Sequence, residues 1–126
     1  MWLMTTRGFF SIVAHNARPD TFLVRSRHRA DLENVAAFLG DGGEIVEGVG
    51  SDYPFRRFVS GAQKDALLAA LGSEIDYPNF KSEIARHPGQ RGKVGAYHDV
   101  WAVLRRTQRG GENQSSRELN PAFTRT

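Results

Sequence analysis

The order of strand-like and helix-like segments is the sequence feature that most limits the fold. Trp2–Ala14 is rich in aromatic and β-branched residues that alternate, with Gly8 at a bend, so it is predicted to be one long or broken strand. HNARPD (residues 15–20) concentrates turn-forming residues, and alternation resumes over Thr21–Arg27. In this second strand Phe22 and Val24 share one face, and Leu23, Arg25 and Arg27 share the other. The two strands are predicted to form a hairpin.

The period then changes to that of a helix. Apolar residues at helical spacing over Arg29–Leu39 predict a first helix, which the glycines from Gly40 onward end. Glu44–Val49 and Tyr53–Val59 are predicted strands. Ser60 and Gln63 have the spacing of a capping box and predict a second helix that ends at Gly72.

The C-terminal third is predicted to be helical and then disordered. A short helical turn is expected over Phe80–Ala85, and Lys93–Arg106 is predicted to be the final helix. Residues 107–126 are poor in apolar side chains and are predicted to be a disordered tail. Residues 1–106 therefore form the one predicted domain.

These elements predict an α+β fold with the order ββαββα, followed by a C-terminal helix. The sheet is expected to have four largely antiparallel strands in the spatial order one, two, four, three. This arrangement is a circularly permuted ferredoxin-like sandwich. Its second and fourth strands, which carry Arg25, Arg27, Arg56 and Arg57, would lie side by side in the centre.

Composition excludes several classes of function. The 126 residues include 40% hydrophobic and 25% charged residues, which is typical of a folded globular domain. The absence of cysteine excludes disulfides, thiolate metal sites and thiol nucleophiles. We expect no cofactor and no metal, and the N-terminal segment matches neither a signal peptide nor a membrane span, so the expected location is the cytoplasm.

The charge is unevenly distributed, although its net value is only +3. Residues 1–30 carry five arginines against one acidic residue, Asp20, whereas residues 31–53 carry six acidic residues and no lysine or arginine. Separate basic and acidic surfaces are expected. Such surfaces could steer an anionic ligand or pair two copies of the protein.

The candidate site is a basic and aromatic sheet face. Arginine side chains match phosphate groups and aromatic rings stack on bases, which favours a non-enzymatic module that binds RNA or a nucleotide. The predicted phosphate contacts are Arg25, Arg27, Arg56 and Arg57. Tyr53 is predicted to stack on a base, with Tyr77, Asn79 and Lys81 at the rim. No residue is predicted to be catalytic.

Other interpretations of these residues remain open. Phe55 or Phe58 could belong to the core and the arginines could pair with the acidic segment. Tyr97 and Trp101 could form an interface with a protein partner or a second copy, as in a homo-oligomer, or could cover the sheet. The four histidines, His28 above all because arginines flank it, could instead serve a small metal-independent ribonuclease.

Four short stretches together resemble a group of small uncharacterised proteins of bacteria and their phages. They are TRGFFS (6–11), DYPFR (52–56), IDYPNFK (75–81) and YHDVW (97–101). The resemblance implies a self-contained cytoplasmic domain and adds Arg7 to the candidate site. It also implies that further motif positions are site members, namely Asp52, Tyr53, Arg56, Tyr77, Asn79 and Lys81. A phage setting is consistent with an inhibitor of a bacterial defence system.

Overall fold

The computed structural model describes residues 1–48 and 52–117, with side chains described up to residue 108. It is an α+β protein built on one open antiparallel sheet. The strands are β1 (Trp2–Thr5), β2 (Gly8–Ala14), β3 (Thr21–Ser26), β4 (Val46–Glu47) and β5 (Phe55–Ser60). The helices are α1 (Arg29–Leu39), α2 (Gly61–Ser73), α3 (Phe80–Arg86) and α4 (Val94–Arg117), with a short 3-10 turn at Arg91–Lys93.

The sheet has five strands in the described residues, not four, because the first predicted strand is a hairpin. Its strand order is β1-β2-β3-β5-β4, with every neighbouring pair antiparallel. The Thr5 side chain makes the tight turn: its hydroxyl accepts hydrogen bonds from the backbone N–H groups of Arg7 and Gly8, at 3.1 Å each. Gly8, with φ of +153°, then begins β2. Local hydrogen bonds to the Thr5 side chain therefore divide the predicted strand at its polar residues Thr5, Thr6 and Arg7.

The predicted adjacency of the strands that carry Arg25 and Arg56 is confirmed. These two residues are paired directly across β3 and β5. β4 is much shorter than the predicted Glu44–Val49, since only Val46 and Glu47 pair with β5, and Val49 lies outside the described residues. The strand predicted from Tyr53 begins at Phe55, directly after Pro54, which lacks the N–H that a paired strand would use.

Local signals defined the first two helices well. α1 spans the predicted residues and ends where Gly40 adopts a left-handed conformation with φ of +64°. At α2 the predicted capping box is confirmed: Gln63 N donates to Ser60 Oγ over 3.1 Å, and Ser60 N donates to the Gln63 side chain over 2.9 Å. Together these bonds satisfy two N–H groups that a helix start would otherwise leave without partners.

The core lies between one sheet face and helices α1 and α2. The strands contribute Phe10, Ile12, Val24 and Val59, and the helices contribute Leu32, Val35, Leu67 and Leu71. The strand register places the side chains of these four strand residues on the same sheet face. The sheet therefore has one face covered by helices and a second face that carries the alternate residues of each strand.

The C-terminal helices form a separate layer of contacts. Phe80 of α3 and Tyr97 of α4 pack with ring centroids 5.5 Å apart, and both Ile84 and Tyr97 are buried. This pair of helices is joined to the domain at Asp31, whose carboxylate accepts hydrogen bonds from Gln90 and Lys93 at 3.0 Å each. The α3–α4 pair therefore docks at the start of α1.

α4 ends at Arg117 and not at the predicted Arg106, so the first part of the segment predicted to be disordered is helical. Residues 105–117 contain no proline and several good helix formers, which allows a helix to continue from a docked first turn. Residues 118–126 lie outside the described residues. None of the described helices combines the length and apolar character that crossing a membrane requires.

Candidate functional site

The candidate site lies on the sheet face opposite α1 and α2, which we call the open face. The strand register places Trp2, Ser11, Arg25, Arg56 and Val46 in one row across all five strands. Arg25 and Arg56 are half-buried neighbours at the centre of this row. Like charges that face each other across two strands repel, so negative charge beside this pair stabilises it.

Two arginines contact the ring of Tyr53 beside this row. The guanidinium carbons of Arg25 and Arg27 each lie 4.7 Å from the centre of the Tyr53 ring. Tyr53 is only 4% exposed, so its ring cannot stack on a base as the sequence predicted. Its contacts with both guanidinium groups instead orient two cations at the surface.

Hydrogen bonds fix the orientation of the same two arginines. Arg25 Nη2 donates to the Ser11 hydroxyl over 2.8 Å, and Arg27 Nη1 donates to the Asp52 backbone carbonyl over 2.7 Å. Both acceptors are uncharged, so neither neutralises a guanidinium group. Within residues 1–48 and 52–108, neither Arg25 nor Arg27 forms a salt bridge to a carboxylate. No carboxylate in these residues therefore balances the charge of Arg25 or Arg27.

The next row of the open face supplies an aromatic side chain. Val13, Leu23 and Phe58 are neighbours in the register, and Phe58 is 38% exposed. The Arg18 guanidinium lies 5.4 Å from the Phe58 ring centre. Phe58 therefore lies outside the core. Its spacing of two residues from Arg56 indicates that both side chains share one face of β5.

Arg57 does not belong to this face. It is 2% exposed and lies on the helix-covered side, where Nη2 is 2.6 Å from both carboxylate oxygens of Asp41. Its guanidinium also packs against Gly43, where any side chain would collide with it. The hydrogen bond from Arg57 is the main cause that lowers the pKa of Asp41. Arg57 therefore secures the loop after α1, and its predicted phosphate contact is wrong.

Arg7 also has a structural role. Its guanidinium donates to both carboxylate oxygens of Glu74, with the shortest N–O distance at 2.8 Å. This hydrogen bonding raises the pKa of Arg7 and lowers that of Glu74. The turn between β1 and β2 is thus tied to the end of α2, and Arg7 is not on the open face.

Tyr77, Asn79 and Lys81 lie on the α3–α4 pair and not beside the arginine row. Asn79 caps α3 by accepting a hydrogen bond from Ser82 N over 2.9 Å. Tyr77 stacks on Phe80, and burial is the main cause that raises its pKa. Lys81 Nζ lies 3.1 Å from the His98 ring nitrogen. The predicted rim is therefore a second location, with its own apolar surroundings.

The histidines are dispersed among different elements. The His15 ring nitrogen accepts hydrogen bonds from the Ala17 and Arg18 backbone N–H groups and so supports the turn before β3. His28 precedes α1 at an exposed position, and His87 lies 3.1 Å from Glu83. Across the part of the chain that the structure describes, no three histidine, aspartate or glutamate residues are grouped to hold a metal ion.

Comparison with known proteins found no matching family model, no similar curated protein and no similar solved structure.

Proposed function

We propose that the protein is a non-enzymatic module that binds a phosphate-bearing ligand, RNA or a nucleotide, on the open face. The observation that supports this most strongly is the stack of Arg25, Tyr53 and Arg27, which presents two oriented guanidinium groups without carboxylate partners in the described residues. Because Tyr53 already orders both side chains, they lose little conformational freedom when they bind phosphate.

Phe58 takes the base-stacking role in this proposal. It lies two residues from Arg56 along β5, a separation of roughly 7 Å between their Cα atoms. A base could stack on the exposed Phe58 ring while the adjoining phosphate lies against the row of Arg25 and Arg56. Stacking of this kind accepts any base, so the expected ligand is single-stranded RNA bound with little sequence preference.

A salt titration with a fluorescent single-stranded oligonucleotide of RNA tests this proposal. Wild-type affinity should fall steeply with salt. Each lost phosphate contact should reduce the slope of log K against log salt by about 0.7, so Arg25→Gln with Arg27→Gln should reduce it by about 1.4. Phe58→Ala should weaken binding roughly tenfold or more and leave the slope unchanged.

Arg86→Gln with Arg91→Gln is the charge-matched control, since these arginines belong to α3 and the 3-10 turn. It removes the same charge from a different surface and should leave the salt slope as it is. Absence of binding at low salt would overturn the proposal, as would equal effects of the two double variants. The RNA should be recovered intact, because cleavage would favour the ribonuclease interpretation that involves His28.

We further propose that the core of the fold is a circularly permuted ferredoxin-like sandwich. The support is the neighbour order β2-β3-β5-β4, in which β2 stands where the last strand of that fold would lie. α1 and α2 contribute to one core on the same face, as that fold requires. An engineered chain that places β1 and β2 after α2 should fold with the same sheet. Failure of that permuted chain to fold would count against the relation.

A further inference from the structure

The longest helix carries an apolar surface that is partly exposed among the described residues. On α4, Val100, Trp101, Val103 and Leu104 are 38%, 49%, 49% and 57% exposed. With about 100° between successive helix residues, these four lie within an arc of roughly 160°. They continue the side of the helix that begins at the buried Tyr97. A contiguous group of this kind on a helix marks an interaction surface.

The surface leads into a groove between α3, α4 and β1. Its floor and walls are formed by Met4, Phe80, Tyr97, Trp101 and Leu104, and its volume is about 320 Å³. This space accommodates one or two large apolar side chains. A flat bilayer surface would leave such a concave site unfilled, whereas side chains that project from a partner protein would fill it.

The geometry favours a helix as the occupant. The backbone groups in the middle of α4 are bonded within the helix, so an extended peptide would gain no main-chain hydrogen bonds there. Val100, Trp101 and Leu104 form a ridge at helical spacing. A second amphipathic helix would pack its own apolar ridge beside it.

The charge around the groove is positive. Lys81 Nζ lies 4.8 Å and the Arg105 guanidinium carbon 5.5 Å from the Trp101 ring centre. Within residues 1–48 and 52–108, Lys81, Arg105 and Arg106 form no salt bridge. Asp99 is the one acidic residue between positions 94 and 108. A second copy of α4 would bring the same cations together, so charge disfavours pairing between two copies of this helix.

We propose that the groove between α3 and α4 binds an acidic amphipathic helix of another protein. Apolar residues of that helix occupy the groove over Trp101 and Leu104, and its carboxylates face Lys81 and Arg105. This site adjoins the β1 edge of the open face at Met4 and lies two strands away from Arg25. It revises the predicted interface, because the buried Tyr97 forms a wall of the groove and the exposed Trp101 provides the contact.

Selection of helical peptides from a displayed random library on the full-length protein tests this proposal. The enriched peptides should carry apolar residues at helical spacing and a net negative charge. One enriched peptide is then synthesised and titrated against variants by fluorescence anisotropy. Trp101→Asp with Leu104→Asp should weaken its binding at least tenfold, since both side chains are exposed and their replacement leaves the fold intact.

Two further variants test location and charge. Ile75→Asp, at a position that is 66% exposed outside the groove, is the matched control and should bind the peptide like wild type. Lys81→Glu with Arg105→Glu should weaken binding of the acidic peptide and strengthen binding of a version whose glutamates are replaced by lysines. RNA binding at the open face should be unchanged in Trp101→Asp with Leu104→Asp.

Several outcomes would overturn the proposal. Enriched peptides without negative charge, or binding that survives Trp101→Asp with Leu104→Asp, would show that the groove is not the site. Sedimentation that reveals a dimer lost in the same variant would assign the surface to a second copy. Binding to vesicles of anionic phospholipid that depends on Trp101 would assign it to a lipid surface.

Discussion

Replacement of Tyr97 by phenylalanine should stabilise the protein. Tyr97 is 5% exposed, and its hydroxyl is buried without a hydrogen-bond partner in the described residues. A buried polar group without a partner costs about 1–3 kcal/mol, while the phenylalanine ring preserves the packing against Phe80. We expect Tyr97→Phe to raise the free energy of unfolding at pH 7 by about 1 kcal/mol.

The same substitution should alter the alkaline limb of the stability curve. Burial, with a smaller contribution from the charge of Asp31, raises the pKa of Tyr97 in the folded protein above its ordinary value near 10. Above about pH 10 the unfolded chain therefore releases the phenol proton while the folded protein retains it. Tyr97 should thus reduce stability by up to about 1.4 kcal/mol for each pH unit above 10, and Tyr97→Phe should remove that contribution.

Urea titrations at pH 7, 10 and 11, followed by circular dichroism, measure both effects. Tyr77→Phe is the matched control, because it removes the same atom from a less buried ring. The difference between Tyr97→Phe and wild type should widen with pH. A variant that is less stable than wild type at pH 7, or one that keeps the wild-type alkaline slope, would refute the reasoning and indicate that the hydroxyl has a partner.

Two further substitutions test the joints of the fold. Gly8→Ala should lower the free energy of unfolding by at least about 2 kcal/mol. The added Cβ would lie 2.6 Å from Asp31 Cβ, at a backbone φ of +153°. Gly72→Ala is the control in urea titrations, because the Cβ added there meets nothing within 4 Å. Glu74→Gln should reduce the loss of stability at acid pH. The lowered pKa of Glu74 in the folded protein contributes stability above about pH 4.3, and this contribution is lost as the pH falls through that lowered pKa. Equal losses in wild type and Glu74→Gln between pH 5 and pH 3 would contradict this.

The local signals in the sequence were sufficient for the helices of the core. The bounds of α1, its glycine stop and the Ser60–Gln63 cap depend on interactions between residues at most four positions apart. The division of the first predicted strand depends on equally local hydrogen bonds, which the Thr5 hydroxyl accepts from Arg7 N and Gly8 N. The alternation of apolar residues on either side does not indicate these bonds. Interactions between residues close in sequence thus determine α1, the start of α2 and the turn between β1 and β2.

The candidate site was predicted in part. Alternation along a strand was enough to place Arg25 and Arg27 together and should also have separated Arg56 from Arg57, since adjacent strand residues face opposite sides. The sequence predicts stacking for Tyr53, which is buried, whereas Phe58 on the open face is exposed. No sequence pattern shows that two arginines enclose Tyr53, because that contact needs β3 and the loop before β5 to meet.

The sequence by itself determined α1, α2 and the segments of β3 and β5, and which side chains share one face of each. Only the tertiary structure decided how distant segments meet: Arg25 opposite Arg56, Arg57 on Asp41, and Asp31 with Lys93. It also decided that α4 packs on α3 and leaves Trp101 exposed. The physical reason is that periodicity and caps act within about one helical turn, whereas charge pairing and burial depend on which elements are neighbours in space.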